Sequence, residues 1–282
     1  MRYQHRLKVG PVTFRVGSEW AAPIRQLGEL YGDYPAADGI CDFTVRLEAE
    51  RPWRRRLRPA VAIRGDYMLP DAVPMALEHG LLAAEMGMNL QMALGYRRHL
   101  LLHAATVERD GRALLMTGLS GSGKSTLAGL LGEAGWRLMG DEFALLDLEE
   151  GSLHPFPRLV SLKNEAVAVV ESRVGAARLG PWLRGTPKGA IRHLKPTADA
   201  VARMDEPAMP KRILFPRFGA EPAVRPVGAA EVFVRLTQAS TNYVALGERA
   251  FDALTRLVGT VPALAIDYPD TKTALAQVEE LW

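Results

Sequence analysis

The sequence has little cysteine and no long apolar run. Cys41 is the single cysteine among 282 residues, which excludes an internal disulfide and is typical of a reducing compartment. Residues 1–16 lack the uninterrupted apolar core of a signal peptide, and the longest apolar segments are far shorter than a membrane span. We therefore expect a cytoplasmic protein without a membrane partner.

Excess charge is also small. Lys and Arg number 35 against 32 Asp and Glu, for a net charge of +3, so bulk electrostatics does not favour nucleic acid as a partner. Hydrophobic residues make up 48% of the chain and aromatic residues 7%, which is ordinary for a soluble globular protein. The length allows one large domain, or a domain with a sizeable extension.

Residues 1–70 contain short runs of near-alternating apolar and polar residues at 12–16, 42–49 and 60–69. This period predicts a small antiparallel sheet. The same region contains a cluster of Arg51, Arg54, Arg55, Arg56 and Arg58. The cluster is either an exposed charged turn or a docking patch for an acidic peptide, and the sequence leaves both open.

A helix is predicted from Met75 to Tyr96 because apolar residues recur there at spacings of three and four. The apolar stripe consists of Leu77, Leu81, Ala84, Met88 and Met92, whereas Glu78, Glu85 and Gln91 fall outside it. We expect this helix to complete an N-terminal β-rich extension over residues 1–96. A second domain then covers residues 97–282.

The second domain opens with a predicted β-hairpin. Residues 100–107 and 112–117 are apolar runs on either side of Asp110-Gly111, a pair that favours a type I′ turn because both positions need positive φ. A helix over 124–133 follows, and Gly135 ends it.

The rest of the chain predicts a mixed sheet closed by helices. A strand, the pair Asp141-Glu142 and another strand follow the first helix. Between residues 152 and 237, short runs ("RLVSLK", "RILFP" and "EVFVRL") are typical of further strands. Residues 247–259 and 270–282 predict helices around a strand at 263–269.

The segment "GLSGSGKS", residues 118–125, matches the phosphate-binding loop pattern G-x-x-x-x-G-K-[ST] in full. Glycines let the backbone amides approach a phosphate closely, at the positive end of the following helix. Lys124 supplies a charge to the phosphates and the Ser125 hydroxyl is a Mg²⁺ ligand. The predicted nucleotide-binding residues are Gly118, Leu119, Ser120, Gly121, Ser122, Gly123, Lys124, Ser125 and Thr126.

Two further elements accompany this loop. Asp141 and Glu142 come one helix and one strand after Lys124, so the pair is predicted on the strand beside the loop. Adjacent carboxylates at a strand end point to opposite sides. One can therefore face the terminal phosphate and the acceptor while the other reaches the metal; a surface carboxylate pair is the alternative.

His103 lies on the strand predicted to pair with the loop strand, and its residue type alone allows either a catalytic or a structural role.

Residues 101–146 resemble the catalytic core of bacterial HPr kinase/phosphorylase. That core has a histidine on the strand before a loop of G-x-S-G-x-G-K-S type, and then a glycine-preceded pair of acids. Outside this core, the segments at 79–90, 155–167, 186–196, 213–218 and 240–243 resemble the HPr-related kinase A group, which is associated with small PqqD-like peptide chaperones in peptide-modification systems.

The resemblance implies an α/β fold of the P-loop kinase type shared with phosphoenolpyruvate carboxykinase, in which a hairpin precedes the loop. It also implies ATP- and Mg²⁺-dependent transfer to a serine hydroxyl of a peptide or small protein. Asp141 takes the position of the general base, Glu142 that of the metal-associated acid, and His103 that of the active-site histidine. Lys124 and Ser125 keep their phosphate and metal roles, with Asp141 also within the metal group.

Six more residues lie in the group-specific motifs and are candidates for substrate or phosphate contacts: Arg158, Lys163, Asn164, Lys188, His193 and Asn242. Lys188, between Pro187 and Gly189, could close over phosphate on a flexible loop. The second acid is Glu where the family has Asp. The segment 183–189 has only Arg184-Gly185 of the phosphorylase signature, so reverse phosphorolysis is not indicated.

We therefore expect a serine kinase. The alternatives are a nucleotide-binding scaffold that recruits a peptide chaperone, and a small-molecule kinase with the same loop. HPr kinases are hexameric, which suggests a homo-oligomer, but no interface is identifiable. The sequence leaves open the acceptor and the choice between ATP and GTP.

Overall fold

In the computed structural model of the chain, residues 1–69 and 72–282 are described. Residues 70 and 71, at the end of the first alternating region, lie outside them. The strands are β1 (Tyr3–Val9), β2 (Val12–Ser18), β3 (Phe43–Ala49), β4 (Ala60–Gly65), β5 (Met75–Ala76), β6 (Leu100–Leu102), β7 (Ala104–Arg109), β8 (Arg112–Thr117), β9 (Arg137–Gly140), β10 (Ala144–Leu146), β11 (Leu153–His154), β12 (Val160–Lys163), β13 (Leu183–Thr186), β14 (Gly189–Leu194), β15 (Met209–Phe218), β16 (Ala223–Pro226) and β17 (Ala263–Tyr268). The α-helices are α1 (Ala21–Leu30), α2 (Gly80–Gly95), α3 (Lys124–Glu133), α4 (Glu165–Val174), α5 (Ala198–Ala202), α6 (Ala229–Ala239), α7 (Tyr243–Leu246), α8 (Glu248–Thr260) and α9 (Thr271–Leu281).

These elements divide into two units. The first contains residues 1–96 and 181–191, and the second contains residues 97–180 and 192–282. The β13–β14 hairpin therefore belongs largely to the first unit, although it is distant from it in sequence. Among the described residues, no helix combines the length and apolar character needed to cross a bilayer.

The first unit is built on a sheet of order β1-β2-β3-β4-β5. The predicted strands are present, but the prediction of a purely antiparallel sheet is wrong, because β2 and β3 pair in parallel with Phe14 opposite Phe43. Helix α1, which the sequence reading missed, lies in the connection between them. A parallel pair requires such a long crossover, and residues 19–42 provide it.

Helix α2 packs on this sheet with its predicted apolar stripe. Leu81, Ala84, Met88 and Met92 are fully buried, but the α-helix begins at Gly80, since residues 75–76 form a strand and residues 77–79 a 3-10 turn. The expectation that Glu85 and Gln91 lie outside the buried face is wrong, because both are buried.

Gln91 is buried with its hydrogen bonds satisfied. Its side chain accepts a bond from the Tyr67 backbone N–H and donates one to the Tyr67 carbonyl, each at 2.9 Å. The arginine cluster at 51–58 lies at the surface of the same unit, around an exposed Trp53. This fits the exposed charged turn, and the docking patch stays a prediction.

The second unit is built on a mixed sheet of order β16-β17-β15-β8-β7-β9. Strands β8, β15 and β17 are parallel to one another. Because β7 is antiparallel to both β8 and β9, β9 runs in the same direction as β8. The carboxyl ends of β8, β9, β15 and β17 therefore meet at one edge of the sheet.

The hairpin before the glycine-rich loop is confirmed. Asp110 and Gly111 have φ of 56° and 74°, as a type I′ turn requires, and Arg109 pairs with Arg112. The predicted strand 100–107 is interrupted, however, by a bend at His103. Its first part, β6, pairs with β10 in a separate sheet of order β11-β10-β6.

Helices cover both faces of the main sheet, as expected for an α/β fold. Leu114 and Met116 of β8 face a core shared with α3 and α9, whereas Ala113 and Leu115 face a core shared with α6 and α8. Burial on both faces explains why β8 is continuously apolar rather than alternating. The predicted helices around β17 are confirmed as α8 and α9.

Two of the three short runs predicted as strands between residues 152 and 237 contain strands in the structure. "RLVSLK" and "RILFP" contain β12 and part of β15, but the prediction for "EVFVRL" is wrong, because residues 231–236 lie in α6. Val232 and Leu236 are buried four residues apart, while Glu231 and Arg235 form an ion pair on the outer side. Helical periodicity therefore explains the segment better than alternation.

Candidate functional site

The glycine-rich loop connects β8 to α3 at the carboxyl edge of the main sheet. Gly121 and Gly123 have φ of 85° and 95°, which residues with a Cβ rarely adopt. At Gly123 a Cβ atom would also lie 2.4 Å from the Tyr268 hydroxyl oxygen. The loop therefore needs glycine at position 123 for both backbone conformation and space.

Helix α3 begins at Lys124, directly after this loop, and its N-cap residue Gly123 provides no side-chain cap. The first backbone N–H groups of an α-helix have no partner within the helix, and they carry its partial positive charge. Glycines 118, 121 and 123 expose further backbone around the same point. The arrangement is suited to binding an anion such as a phosphate group.

Lys124 folds back over the loop. Its Nζ donates hydrogen bonds to the carbonyls of Gly118 at 2.7 Å and Leu119 at 3.0 Å, and the residue is 7% exposed. Burial lowers the pKa of Lys124, and the charge of Lys163 adds to this effect, while the carboxylates of Asp141 and Glu142 oppose it. The ammonium group is thus held against the loop, within electrostatic reach of both predicted acids.

Asp141 is a buried carboxylate at the end of β9. Its Oδ2 accepts a hydrogen bond from the Ser161 backbone N–H at 3.3 Å, and the Ser125 hydroxyl also bonds to the carboxylate. Its Oδ1 is buried and has no hydrogen-bond partner among the described residues. Burial, followed by the charge of Glu142, raises the pKa of Asp141 to about 7, although Ser125, Ser161 and Lys124 act in the opposite direction.

Glu142, the next residue, contacts His103, and its charge also acts on Asp141. Its Oε2 lies 3.7 Å from Nδ1 of His103. His103 is about half exposed, and its backbone carbonyl accepts a bond from the hydroxyl of Thr117, the last residue of β8, at 3.1 Å. This bond connects the His103 bend directly to the strand that leads into the loop.

The sequence placed Asp141 on the strand beside the loop strand, and this detail is wrong. Strand β7 lies between β8 and β9. Asp141 still reaches Ser125 and Lys124, because β8 and β9 end at the same edge. His103 is likewise not within a paired strand but in the bend between β6 and β7.

Of the substrate candidates in the second unit, Lys163 is the one that electrostatics connects to the loop, since its charge acts on Lys124. Arg158 and His193 are buried, with 3% and 2% exposure. Asn164 is exposed and has a φ of 50° just before α4. Lys188 is exposed in the turn of the β13–β14 hairpin, in the first unit.

Asn242, the remaining candidate, has structural hydrogen bonds. Its Oδ1 accepts a bond from the Leu101 N–H, and its Nδ2 donates to the His99 carbonyl, each at 2.9 Å. The side chain is 2% exposed. It therefore holds the start of β6 in place.

Sequence reasoning missed Tyr268, the last residue of β17. Its hydroxyl donates a hydrogen bond to the Ser122 carbonyl at 3.1 Å, and its ring lies beside Phe218. Burial raises the pKa of Tyr268, so the hydroxyl remains a donor at physiological pH. A tyrosine at the end of a predicted apolar strand was the available signal, because parallel strands end at the same edge.

The residues around the loop fit a hard divalent cation such as Mg²⁺, which prefers oxygen ligands. The oxygen groups are the Ser125 hydroxyl and the carboxylates of Asp141 and Glu142. The buried, unpaired Oδ1 of Asp141 is an observation in favour of this fit, since buried polar atoms normally have a partner.

Comparison with family models and with curated proteins gives no match. Among solved structures, the chain is similar to the Hpr(Ser) kinase/phosphatase from Coxiella burnetii. The sequence identity is 14%, the TM-score is 0.28, and the match covers 64% of this chain and 96% of that chain. A TM-score this low supports no argument from structure, so the functional proposal depends on the residues described above.

Proposed function

We propose that this chain is an ATP- and Mg²⁺-dependent kinase that phosphorylates a serine hydroxyl on a peptide or small protein. The observation that carries the proposal is the position of Asp141. A buried carboxylate with an unpaired oxygen and a pKa raised to about 7 lies in contact with Ser125, one residue after the loop lysine. A phosphate-binding loop alone would suit any nucleotide-binding protein, and this carboxylate adds a proton acceptor.

The loop and Lys124 bind the phosphate donor in this proposal. The uncapped N-terminus of α3 and the loop amides offer N–H groups to the phosphates of ATP. Lys124 adds a positive charge, which its loop carbonyl partners already hold in place. Mg²⁺ bound by Ser125 with Asp141 and Glu142 would supply further positive charge to the phosphates.

Asp141 receives the proton of the acceptor. The serine oxygen forms a bond to the γ-phosphorus, the bond from that phosphorus to the bridging oxygen of ADP breaks, and the serine proton moves to the Asp141 carboxylate. A carboxylate whose pKa is raised toward neutrality is a stronger base than an exposed aspartate and is still largely ionised above pH 7. Burial of the carboxylate next to Glu142 provides this property.

His103 and Glu142 form the exposed side of the site. Their 3.7 Å contact lies next to the loop strand through the Thr117 bond. We assign His103 to the acceptor side, where an exposed histidine can orient an incoming hydroxyl, while Glu142 keeps its role toward the metal. Lys163, Lys188, Arg158 and His193 remain the candidates for contacts with the rest of the substrate.

The acceptor class is supported by the resemblance of residues 155–167 and 186–196 to the HPr-related kinase A group. On that basis we propose a ribosomally made peptide as substrate, a PqqD-like chaperone as partner, and a homo-oligomeric assembly. The fold proposed with this function is the P-loop kinase type of HPr kinase and phosphoenolpyruvate carboxykinase, with the hairpin before the loop.

The test is transfer of label from γ-labelled ATP. The full chain is incubated with Mg²⁺, labelled ATP and a panel of serine-containing peptides, and the products are analysed for phosphoserine. Asp141→Asn should still bind ATP but transfer no label, whereas Lys124→Ala should lose affinity for ATP. ATP binding without any phosphoserine would contradict the kinase and favour the scaffold, and label on a small alcohol would favour a small-molecule kinase.

A further inference from the structure

A second polar cluster lies in the β11-β10-β6 sheet and has no part in the proposed phosphate site. It consists of His99, directly before β6, Asp147, directly after β10, and His154 of β11. In this sheet Leu146 pairs with Leu100 and Leu145 pairs with His154. His99 and Asp147 therefore continue the β6–β10 ladder as an opposed pair, and His154, opposite Leu145, lies two residues from Asp147 along β10 and on the same face.

The three side chains converge. One nitrogen or oxygen ligand atom from each residue lies within 4.8 Å of those from the other two. Nε2 of His99 is 4.0 Å from Oδ2 of Asp147, and the rings of His99 and His154 are 4.5 Å apart between centroids. Two ligands of a tetrahedral zinc ion are about 3.4 Å apart, since each lies about 2.0–2.1 Å from the metal. Small side-chain rotations would therefore bring the three atoms to coordination distance.

Backbone hydrogen bonds orient the ligands. Oδ1 of Asp147 accepts bonds from the backbone N–H groups of Glu149 at 2.8 Å and Glu150 at 2.6 Å. This leaves Oδ2 as the atom that faces His99. The His99 backbone is held by the amide group of Asn242 at 2.9 Å. Outer hydrogen bonds of this kind are common around protein metal ligands, whose direction they fix.

We propose that His99, Asp147 and His154 bind one transition metal ion of the zinc class, with water completing its coordination. Two imidazoles and one carboxylate favour Zn²⁺, Co²⁺ or Ni²⁺ over Mg²⁺ or Ca²⁺, which prefer oxygen ligands. His99 is 7% exposed, while the Asp147 side chain is 25% exposed. The site therefore has a buried ligand and an open side through which an ion and a water molecule can enter.

A simple histidine–aspartate ion pair involves only two residues, whereas this cluster has three. Here the third ligand comes from a different strand, which makes the cluster a cross-link between β6, β10 and β11. His103 lies just beyond the other end of the β6–β10 ladder, four residues from His99, or about 13 Å at 3.3 Å for each residue of an extended strand. An ion at the cluster would hold β6 and β10 together beside His103. The inference does not depend on the kinase proposal.

The test is metal binding by the full chain, without an affinity tag and after removal of metals with EDTA. Co²⁺ is titrated with excess Mg²⁺ present, so that oxygen-rich sites are occupied, and visible absorption reports tetrahedral coordination. Zn²⁺ affinity is then measured by competition with a chromophoric chelator. We expect one equivalent per chain, with the affinity lowered at least about 100-fold in His154→Ala and Asp147→Asn.

His5→Ala is the matched control, since it removes a histidine from β1 of the first unit, and it should bind as the unmodified chain does. Circular dichroism checks that each variant is folded; if His154→Ala is not, the isosteric Asp147→Asn decides. The absence of a saturable site in the unmodified chain would overturn the proposal. Equal affinity in Asp147→Asn would also overturn it, because the ion would then lie elsewhere.

Discussion

The hydroxyl of Tyr268 donates a hydrogen bond to the backbone carbonyl of Ser122, at 3.1 Å. Tyr268 is the last residue of β17, and Ser122 lies in the loop that follows β8. Because both strands run parallel to β15, they end at the same edge of the sheet. The bond fixes one carbonyl of the glycine-rich loop from outside the loop. It also places the tyrosine oxygen where a side chain at position 123 would lie.

Tyr268→Phe should weaken ATP binding by about 2- to 13-fold, the effect of losing one hydrogen bond of about 0.5–1.5 kcal/mol. The Ser122 carbonyl loses its donor and the loop becomes less ordered before the nucleotide binds. Calorimetric titration with Mg-ATP measures the change. Tyr243→Phe, another tyrosine of the second unit, should leave affinity unchanged, and an equal loss in both variants would argue against a role for the bond.

Gly123→Ala should lose most nucleotide affinity. The left-handed backbone at this position costs a residue with a Cβ about 1–2 kcal/mol, and the Cβ would meet the Tyr268 hydroxyl at 2.4 Å. Gly132→Ala in the same helix is the control, since a Cβ there has no atom within 4 Å and alanine favours the helix by about 0.5–1 kcal/mol.

The double variant Gly123→Ala with Tyr268→Phe separates the two causes. Removing the hydroxyl relieves the contact but not the backbone strain, so affinity should recover only in part. Full recovery would mean that the backbone conformation is not limiting. No recovery would mean that the contact with Tyr268 is irrelevant to the effect of Gly123→Ala.

The loop and the hairpin could be predicted because their signals are local. Asp110-Gly111 specifies its own turn through positive φ, and the spacing of glycines, Lys124 and Ser125 is complete within eight residues. The apolar strand before Asp141 was predicted, but not that β7 separates this strand from β8. All the predicted features are decided by residues close together in sequence.

The features that the sequence did not predict depend on how strands pair, and the alternation of apolar and polar residues carries no information about pairing. A period of two identifies the buried face of β2 and β3 but not their relative direction, so the parallel pairing was missed. The run at 231–236 is too short to separate the two periods, and it forms a helix. Tyr268 and Ser122 lie far apart in the sequence, so their contact can be recognised only once the strand order is known.

The ion pair of Glu108 and Arg137 should be important for stability. The Oε2 to Nε distance is 2.6 Å and each side chain is 2% exposed; Arg137 also donates to the carbonyls of Arg203 and Glu206. Glu108→Gln leaves a buried guanidinium without its carboxylate. We expect the free energy of unfolding to fall by about 3–5 kcal/mol, measured by urea denaturation.

Glu231→Gln is the control for this prediction. It removes an ion pair with Arg235 on the exposed face of α6, where both side chains are about half exposed. Exposed pairs of this kind contribute at most about 0.5 kcal/mol. If Glu108→Gln were as mild as this control, the buried pair would not be a major source of stability.

Ionisation of the Asp141 carboxylate should lower the free energy of unfolding in the same pH range in which it supports phosphate transfer. Burial and the charge of Glu142 raise its pKa from 3.8 to about 7, so between these values the folded chain binds more protons at this site than the unfolded chain. Stability linked to Asp141 is therefore fully present below about pH 4 and is lost as the pH rises to about 7. Transfer should rise over the upper part of this window, as the carboxylate forms.

Asp141→Asn separates these effects. Asparagine cannot ionise, so the variant should be more stable than the unmodified chain at pH 8 by on the order of a few kcal/mol, and the difference should shrink as the pH falls toward 4. Phosphoserine formation should be lost at every pH. Thermal unfolding at several pH values measures the first effect, and label transfer the second. Asp199→Asn, at a largely exposed carboxylate, is the control for the substitution itself. If Asp141→Asn were destabilising at pH 8, the carboxylate would be satisfied in the folded chain, and its assignment as a desolvated base would be wrong.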